Sequence, residues 1–282
     1  MRPTRLALTF AAILAAPCLA SAECASDVAI ARYVADWQAG TPTEALGAGA
    51  SMEDALCTQE KLVERLQFSR GEVVGYKAGL TSDAAQERFG VDEPVRGVLL
   101  GKMLLEDGAR VAEDFGARPL FEADLLLVIG DAAINEADGR AAALRHISAV
   151  RPFIELPDLA VSEGQPITGA TLTAGNVGAR LGVMGAPIEV TERFLDHLEV
   201  MTVRVTDADG EVLAETKGSA VLGHPVESVL WLVRSGVRLE EGDLVSVGSI
   251  GPLMPPTKAK GRATVTYEGL PGDPSVSVTF TR

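Results

Sequence analysis

The chain has little cysteine, a deficit of positive charge, and none of the short motifs that most often announce a chemistry. No CxxC pair, HExxH, nucleophile elbow or phosphate loop occurs in its 282 residues. Their absence removes the usual signatures of thiol redox enzymes, zinc proteases, serine hydrolases and nucleotide enzymes. Lys and Arg number 25 against 39 Asp and Glu, for a formal charge of -14, and the basic residues form no run. Phosphate contact needs a concentrated basic face, so no nucleic-acid partner is expected. No fixed-period repeat or low-complexity segment is present. At 47% hydrophobic, the chain can build a substantial core.

Of the three cysteines, Cys18 falls in the opening stretch "MRPTRLALTFAAILAAPCLASAEC". Arg2 and Arg5 lead it, an apolar run follows, and Ala20-Ser21-Ala22 supplies a small-residue cleavage site. This is the pattern of a secretory signal peptide cut after Ala22, placing the mature protein in the periplasm or outside the cell with no membrane attachment. The run is too short, and too interrupted by Pro17, for a membrane span. Cys24 and Cys57 remain. In an oxidising compartment they can pair and tie the N-terminal tail to the following helix, the alternative being two unrelated thiols.

Residues 23–70 read as a helical segment. Ile30, Tyr33, Val34 and Trp37 have helical spacing between a Ser26 cap and a Gly40 stop. Ser51 with Asp54 three residues on opens a second helix through Leu62, Val63 and Leu66. From 71 to 282 the texture is of short β-type runs broken by Gly and Pro, with "DADG" at 207–210 marking a hairpin. Helices are expected near Ser82–Phe89, around Ala137–Ala149 and from Pro225 to Gly236. Strands that do not alternate regularly with helices predict an α+β fold, a mixed β-rich core under an N-terminal helical cap.

Within "RPLFEADLLLVIG", residues 118–130, two acids interrupt an apolar strand. Glu122 and Asp124, two apart, share one face of it, and Glu155 interrupts "RPFIELPD" in the same way. Three carboxylates on two strands make either an all-oxygen site for a hard cation such as Mg²⁺ or Mn²⁺, or edge-strand acids facing solvent. Lys77 sits between Gly75 and Gly79 in "GYKAGLTSD". It is either a strand residue reaching solvent or a partly buried lysine that shuttles a proton or clamps a substrate. His224, before the third helix, contacts a ligand or closes a turn.

The ordered segments "GYKAGLTSDAAQERFGVDEPVRGVLL", "RPLFEADLLLVIG", "FIELPD", "AGN", "KGSAVLGHPVESVLWL" and "GSIGPLMPP" resemble the 2-keto-4-pentenoate hydratase branch of the fumarylacetoacetate hydrolase superfamily. The resemblance implies a core like that superfamily's C-terminal domain, with Glu122, Asp124 and Glu155 binding Mg²⁺ or Mn²⁺. It implies Lys77 beside the substrate, and Asn176, Ser219 and His224 near the pocket as substrate-binding residues. The implied reaction is hydration of a 2-hydroxy-2,4-dienoate to a 4-hydroxy-2-oxo acid by a homo-oligomer. Decarboxylation of a 4-oxalocrotonate-type substrate, C–C hydrolysis of an acylpyruvate, or binding of 2-oxo acids without turnover are the alternatives. The hydrolase needs a His-Glu pair before the metal motif, and no histidine precedes His146. Two departures stand out. Gly175-Asn176-Val177-Gly178 replaces an Asp-Asn-x-Ser-like stretch, which removes an acid and a hydroxyl from the expected pocket wall. Export also sets this chain apart from a family whose aromatic-degradation pathways are cytoplasmic.

Overall fold

The computed structural model describes residues 23–191 and 194–282; the expected signal peptide, residues 1–22, lies outside the described residues. The helices are α1 (Asp27–Ala39), α2 (Met52–Arg70), α3 (Asp83–Phe89), α4 (Arg140–Leu144), α5 (Gly169–Ala174), α6 (Phe194–Val200) and α7 (Val226–Arg234). The strands are β1 (Val73–Gly79), β2 (Val95–Leu100), β3 (Leu104–Glu106), β4 (Arg110–Ala112), β5 (Glu122–Ile129), β6 (Ile147–Leu156), β7 (Leu181–Met184), β8 (Ile188–Glu189), β9 (Thr202–Thr206), β10 (Val212–Lys217), β11 (Leu244–Ser246), β12 (Arg262–Glu268) and β13 (Ser275–Thr281). The expected α+β architecture, a mixed β core with helices at its N-terminal end, is what these elements form.

Local chemistry accounts for most boundaries. Ser26 caps α1 by accepting from Ala29 N–H, and Gly40 ends it in the left-handed conformation. Ser51 and Asp54 form a reciprocal capping box on α2. The "DADG" turn joins β9 to antiparallel β10. One helix differs from expectation. The alanine-rich stretch 137–149 gives only the short α4, and Ile147 onward joins β6, a ten-residue strand that pairs with β5, β7 and β8. Sheet pairing on both sides there outweighs local helix propensity.

The larger sheet runs β2-β1-β11-β5-β6-β7-β3, with β8 on β6; the smaller runs β10-β9-β12-β13-β4. A large apolar core takes Phe121, Ala123, Leu125, Leu127 and Ile129 from the β5 segment, together with Val203, Val265 and Val278 of the smaller sheet. Leu126 instead joins a separate cluster with Leu99, Phe153 and Met184. The two faces of β5 thus do different work, and Glu122 and Asp124 share the Leu126 face.

The N-terminal helices form their own core through Ile30, Tyr33, Trp37, Leu62 and Leu66, shared with Leu100 and Met103 at the sheet edge. Arg180, just before β7, fastens them. Its guanidinium lies 4.5 Å from the Trp37 ring centroid, donates to Trp37 O at 2.7 Å and Asp158 Oδ2 at 3.2 Å, and reaches Phe115 O. Gln59 of α2 adds bonds to Arg96 O and Thr173 O.

Cys24 and Cys57 are joined as a disulfide, with Cα atoms 5.4 Å apart and a sequence separation of 33. Closing that loop stabilises the fold chiefly by restricting the unfolded chain. Cys57→Ser is therefore expected to cost about 3–4 kcal/mol in urea unfolding of oxidised protein. Equal midpoints for variant and wild type, or two free thiols in a non-reducing peptide map, would contradict the bridge. No helix among the described residues is long and apolar enough to cross a membrane.

Candidate active site

The register of the larger sheet assembles the site. Glu122 pairs with Glu155 across β5 and β6, and Lys77 pairs with Ser246 on one side and Gly97 on the other. Lys77, Glu122, Asp124 and Glu155 are all 5% exposed or less, so the acids are not edge residues facing water. Lys77 forms an ion pair with Glu155 Oε1 and donates to Val177 O at 3.1 Å. Asp124 Oδ1 accepts from Gly248 N at 3.0 Å and Leu125 N at 2.5 Å, and its Oδ2 takes the Ser246 hydroxyl.

Three buried carboxylates stand against one ammonium, and ionisation of Glu122 and Asp124 is disfavoured accordingly. Burial first, then repulsion from Glu155, pushes the Glu122 carboxyl well above its usual range. The same two causes, in the same order, raise Asp124 to about 7. Glu122 Oε2 and Glu155 Oε2 have no hydrogen-bond partner. Buried oxygens without partners are costly, and here they belong to two glutamates facing each other across one ladder.

This donor set, all hard oxygen and carrying excess negative charge, suits a divalent cation of the Mg²⁺ or Mn²⁺ type. The described His, Cys, Asp and Glu side chains do not converge as a formed chelate. Glu155 gives one oxygen to Lys77 and keeps the other free, whereas both Asp124 oxygens are engaged by Ser246, Gly248 and Leu125. The glutamates therefore fit a cation directly, and Asp124 fits as a third member that must exchange bonds it already has.

Reading the sequence missed Ser246, Ser249 and Tyr267. Ser249, whose hydroxyl donates to Gly251 O at 2.6 Å, lies near enough to Glu122 to hold its carboxyl down against the larger effect of burial. The signal for both serines was present, because "LVSVGS" carries hydroxyls into an otherwise apolar run. Tyr267, fully buried on the other sheet, puts its hydroxyl on the ladder where Asp124 faces Phe153. It accepts from Phe153 N at 3.1 Å and donates to the Asp124 carbonyl. Tyr267→Phe is expected to cost about 1–3 kcal/mol in urea unfolding, because it strands those two backbone groups; a loss below about 0.5 kcal/mol would mean they find other partners.

Other expected site residues are placed differently. Both ends of the Asn176 amide are spent on Val98, accepting its N–H at 2.8 Å and donating to its C=O at 3.0 Å. That leaves it little capacity for a substrate. His224 is buried, accepts from Val226 N at 3.1 Å and faces Leu195 O at 3.0 Å. Desolvation lowers its pKa, so it is a neutral ring closing the turn into α7. Ser219 is exposed in the Gly218–Ala220 turn. The two glycines do not strip the carboxylate site either. A Cβ at Gly175 would meet the Tyr33 hydroxyl at 3.0 Å, and one at Gly178 the Asp158 carbonyl at 3.2 Å, both on the side of the N-terminal helices. Two clefts of about 430 and 310 Å³ open beside α2 and α7, and neither is lined by Lys77 or the carboxylates.

No family model matches the chain. 2-Keto-4-pentenoate hydratase 2 of Dechloromonas aromatica (strain RCB) is 33% identical over 227 residues, which span 78% of this chain and 84% of that protein. Among solved structures, 4-oxalocrotonate decarboxylase from Pseudomonas putida G7, complexed with magnesium and adipate, gives a TM-score of 0.76 at 25% identity. The match covers 90% of this chain and 96% of that one. Fumarylpyruvate hydrolase from Pseudomonas aeruginosa, in complex with Mn²⁺ and pyruvate, gives 0.55 at 16% identity over 73% of this chain and 88% of that one, a likeness of fold alone.

Proposed function

This chain belongs to the 2-keto-4-pentenoate hydratase family of the fumarylacetoacetate hydrolase superfamily, and from that membership we propose that it hydrates a 2-hydroxy-2,4-dienoate to a 4-hydroxy-2-oxo acid. The observation that carries the reading is a buried lysine paired with one of two facing glutamates, each of which has an oxygen without a partner. Glu122 and Glu155, with Asp124, are the residues that would hold Mg²⁺ or Mn²⁺. When bound, such a cation supplies Lewis-acid polarisation of the 2-oxo group.

The remaining chemistry falls to the protein. Ketonisation of the dienol moves its hydroxyl proton to C5, and water then adds at C4 with a proton to C3. We assign to Lys77 Nζ, held by Glu155 and the Val177 carbonyl, the carrying of a proton between these positions. Burial of the strand pair limits competing water.

The buried charges favour a monocarboxylate. Among the described residues the buried cations are Lys77 and Arg180, and Arg180 is committed to Asp158 and Trp37. A second carboxylate at the far end of a 4-oxalocrotonate-type substrate would have no buried cation of its own, so decarboxylation is the secondary reading. Export to the periplasm or beyond and homo-oligomeric assembly belong to the same proposal. The Cys24–Cys57 bridge supports the first, because such bonds persist in oxidising compartments.

Calorimetric titration of Mn²⁺ into the mature protein, followed by incubation with 2-hydroxypenta-2,4-dienoate, tests the assignment. Saturable binding, loss of dienoate absorbance and a product heavier by one water are expected. Release of CO₂ from 4-oxalocrotonate without hydration would transfer the assignment to the decarboxylase reading. Tight binding with the ligand recovered unchanged would make the protein a carrier, and light scattering showing only monomer would end the oligomer.

A further inference from the structure

Two consecutive residues beside Lys77 occupy a conformation that L-residues avoid. Asn176 has φ +55° and Val177 φ +52°, ψ +35°. Asparagine visits this region at times, but a β-branched residue there is a genuine outlier. Backbone strain of this kind persists only where its surroundings over-determine it.

Those surroundings can be read residue by residue. The Asn176 side chain pairs with both the N–H and the C=O of Val98, so it stands where a neighbouring strand would stand at the open edge of β2. With Asn176 pinned, Val177 turns into the left-handed region and its carbonyl faces Lys77 Nζ at 3.1 Å. The strands make room for this. A Cβ at Gly79 would lie 2.5 Å from Val177 Cγ1, and one at Gly97 would lie 3.1 Å from Asn176 O and 2.8 Å from Lys77 Cγ. Gly97 is also the cross-strand partner of Lys77. Two glycines, an asparagine and a strained valine thus converge on one ammonium.

We propose that Asn176–Val177 is a positioning clamp for Lys77: the asparagine fixes the strained turn, and the turn presents a neutral backbone carbonyl that holds the lysine head at the carboxylates independently of Glu155. A carbonyl acceptor costs the site no further negative charge, whereas another acid there would add to an already uncompensated cluster. Asn176 is accordingly a positioning residue that acts through Lys77 and does not contact substrate. The catalytic meaning rests on the role proposed for Lys77; the clamp itself does not.

The first test needs no substrate. Metal-free wild type, Asn176→Ala and Val177→Gly are exposed to a water-soluble amine-acylating reagent, and the labelling rate of Lys77 is followed by peptide mass spectrometry. Asn176→Ala should label at least about tenfold faster, on the order of the effect of a misplaced reactive group. Val177→Gly keeps the carbonyl and enters the left-handed region freely, so it should keep Lys77 protected. Asn176→Asp retains the bond to Val98 N–H but sets an oxygen against Val98 C=O, and it serves with the same expectation of faster labelling if the alanine variant does not fold. The second test is a double-mutant cycle with Lys77→Met in turnover assays. Asn176→Ala should lower kcat by roughly ten- to hundredfold with KM little changed, and should add nothing to Lys77→Met. Unchanged labelling in the folded Asn176 variants, or a full additive loss on Lys77→Met, would overturn the clamp. Wild-type turnover in Lys77→Met would instead remove the catalytic role of the lysine, while the labelling rate would still decide the clamp.

Discussion

Glu122→Gln is expected to turn over at about a thousandth of the wild-type rate or less, a loss of about 4 kcal/mol, and to make the metal-free protein more stable. The two effects share one cause. Glu122 is buried, has an oxygen without a partner and faces Glu155 across the ladder, so its charge is unfavourable in the folded protein and useful only toward a cation. Glutamine keeps the shape and removes the charge. The sign with pH follows. A carboxyl whose folded pKa is raised gives full stability below its ordinary value near 4.5, and loses it as pH rises through the raised value. The stability advantage of the variant should therefore be absent at pH 4 and grow toward neutrality. Thermal melts across that range, with calorimetry and turnover at saturating Mn²⁺, check all three parts. Wild-type turnover in the variant would end the reading of Glu122 as a ligand, and an advantage largest at low pH would show that its charge is already compensated.

Arg180→Leu should be the most destabilising single change away from the carboxylates. Asp158 is fully buried and accepts from Ala117 N at 3.1 Å, Arg118 N at 2.8 Å and Arg180. Removing the guanidinium leaves a buried carboxylate without its cation, at a cost of about 3–5 kcal/mol, and leaves Trp37 with only the Arg70 guanidinium, 4.8 Å from its ring centroid. For a chain of this size the melting temperature should fall by on the order of 10 °C. Adding Asp158→Asn should recover part of the loss, since the amide oxygen can still take a backbone N–H without a buried charge. A fall below about 3 °C in the single variant would mean that the helical layer is held by its apolar contacts alone.

How much of this was legible in the sequence depended on how local each feature is. Ser26, Gly40 and the Ser51–Asp54 box act within one turn of chain, and each marked its helix end correctly. The strands carrying Glu122, Asp124 and Glu155 were visible because acids stand out in apolar runs, and the structure brings all three to one buried region beside Lys77. Contacts made across long stretches of chain were not visible. Ser246 reaches Asp124, and Tyr267 reaches the β5–β6 ladder, from more than a hundred residues away; the hydroxyls of "LVSVGS" mark that run as unusual without naming Asp124 as the partner, and nothing near Tyr267 points to the ladder. The family resemblance implies Asn176 and His224 as substrate contacts, whereas the position of His224 before a helix also allows the turn-closing role that it has. The backbone of Val98, Leu195 and Val226 uses them first, and only coordinates reveal that competition.

The parallel pairing of β1 with β11, which sets Lys77 opposite Ser246, bears on how the protein is made. A nascent chain can lay β1 against β2 early, but the other flank of β1 stays open until the ribosome has delivered a segment near the C-terminal end. Loop closure of that length is slow and is won only when the final contacts form. The lysine and its carboxylates are therefore among the last groups to leave water, and a chain interrupted before β11 would keep its helices while leaving β1 half-sheltered and open to pairing with another molecule.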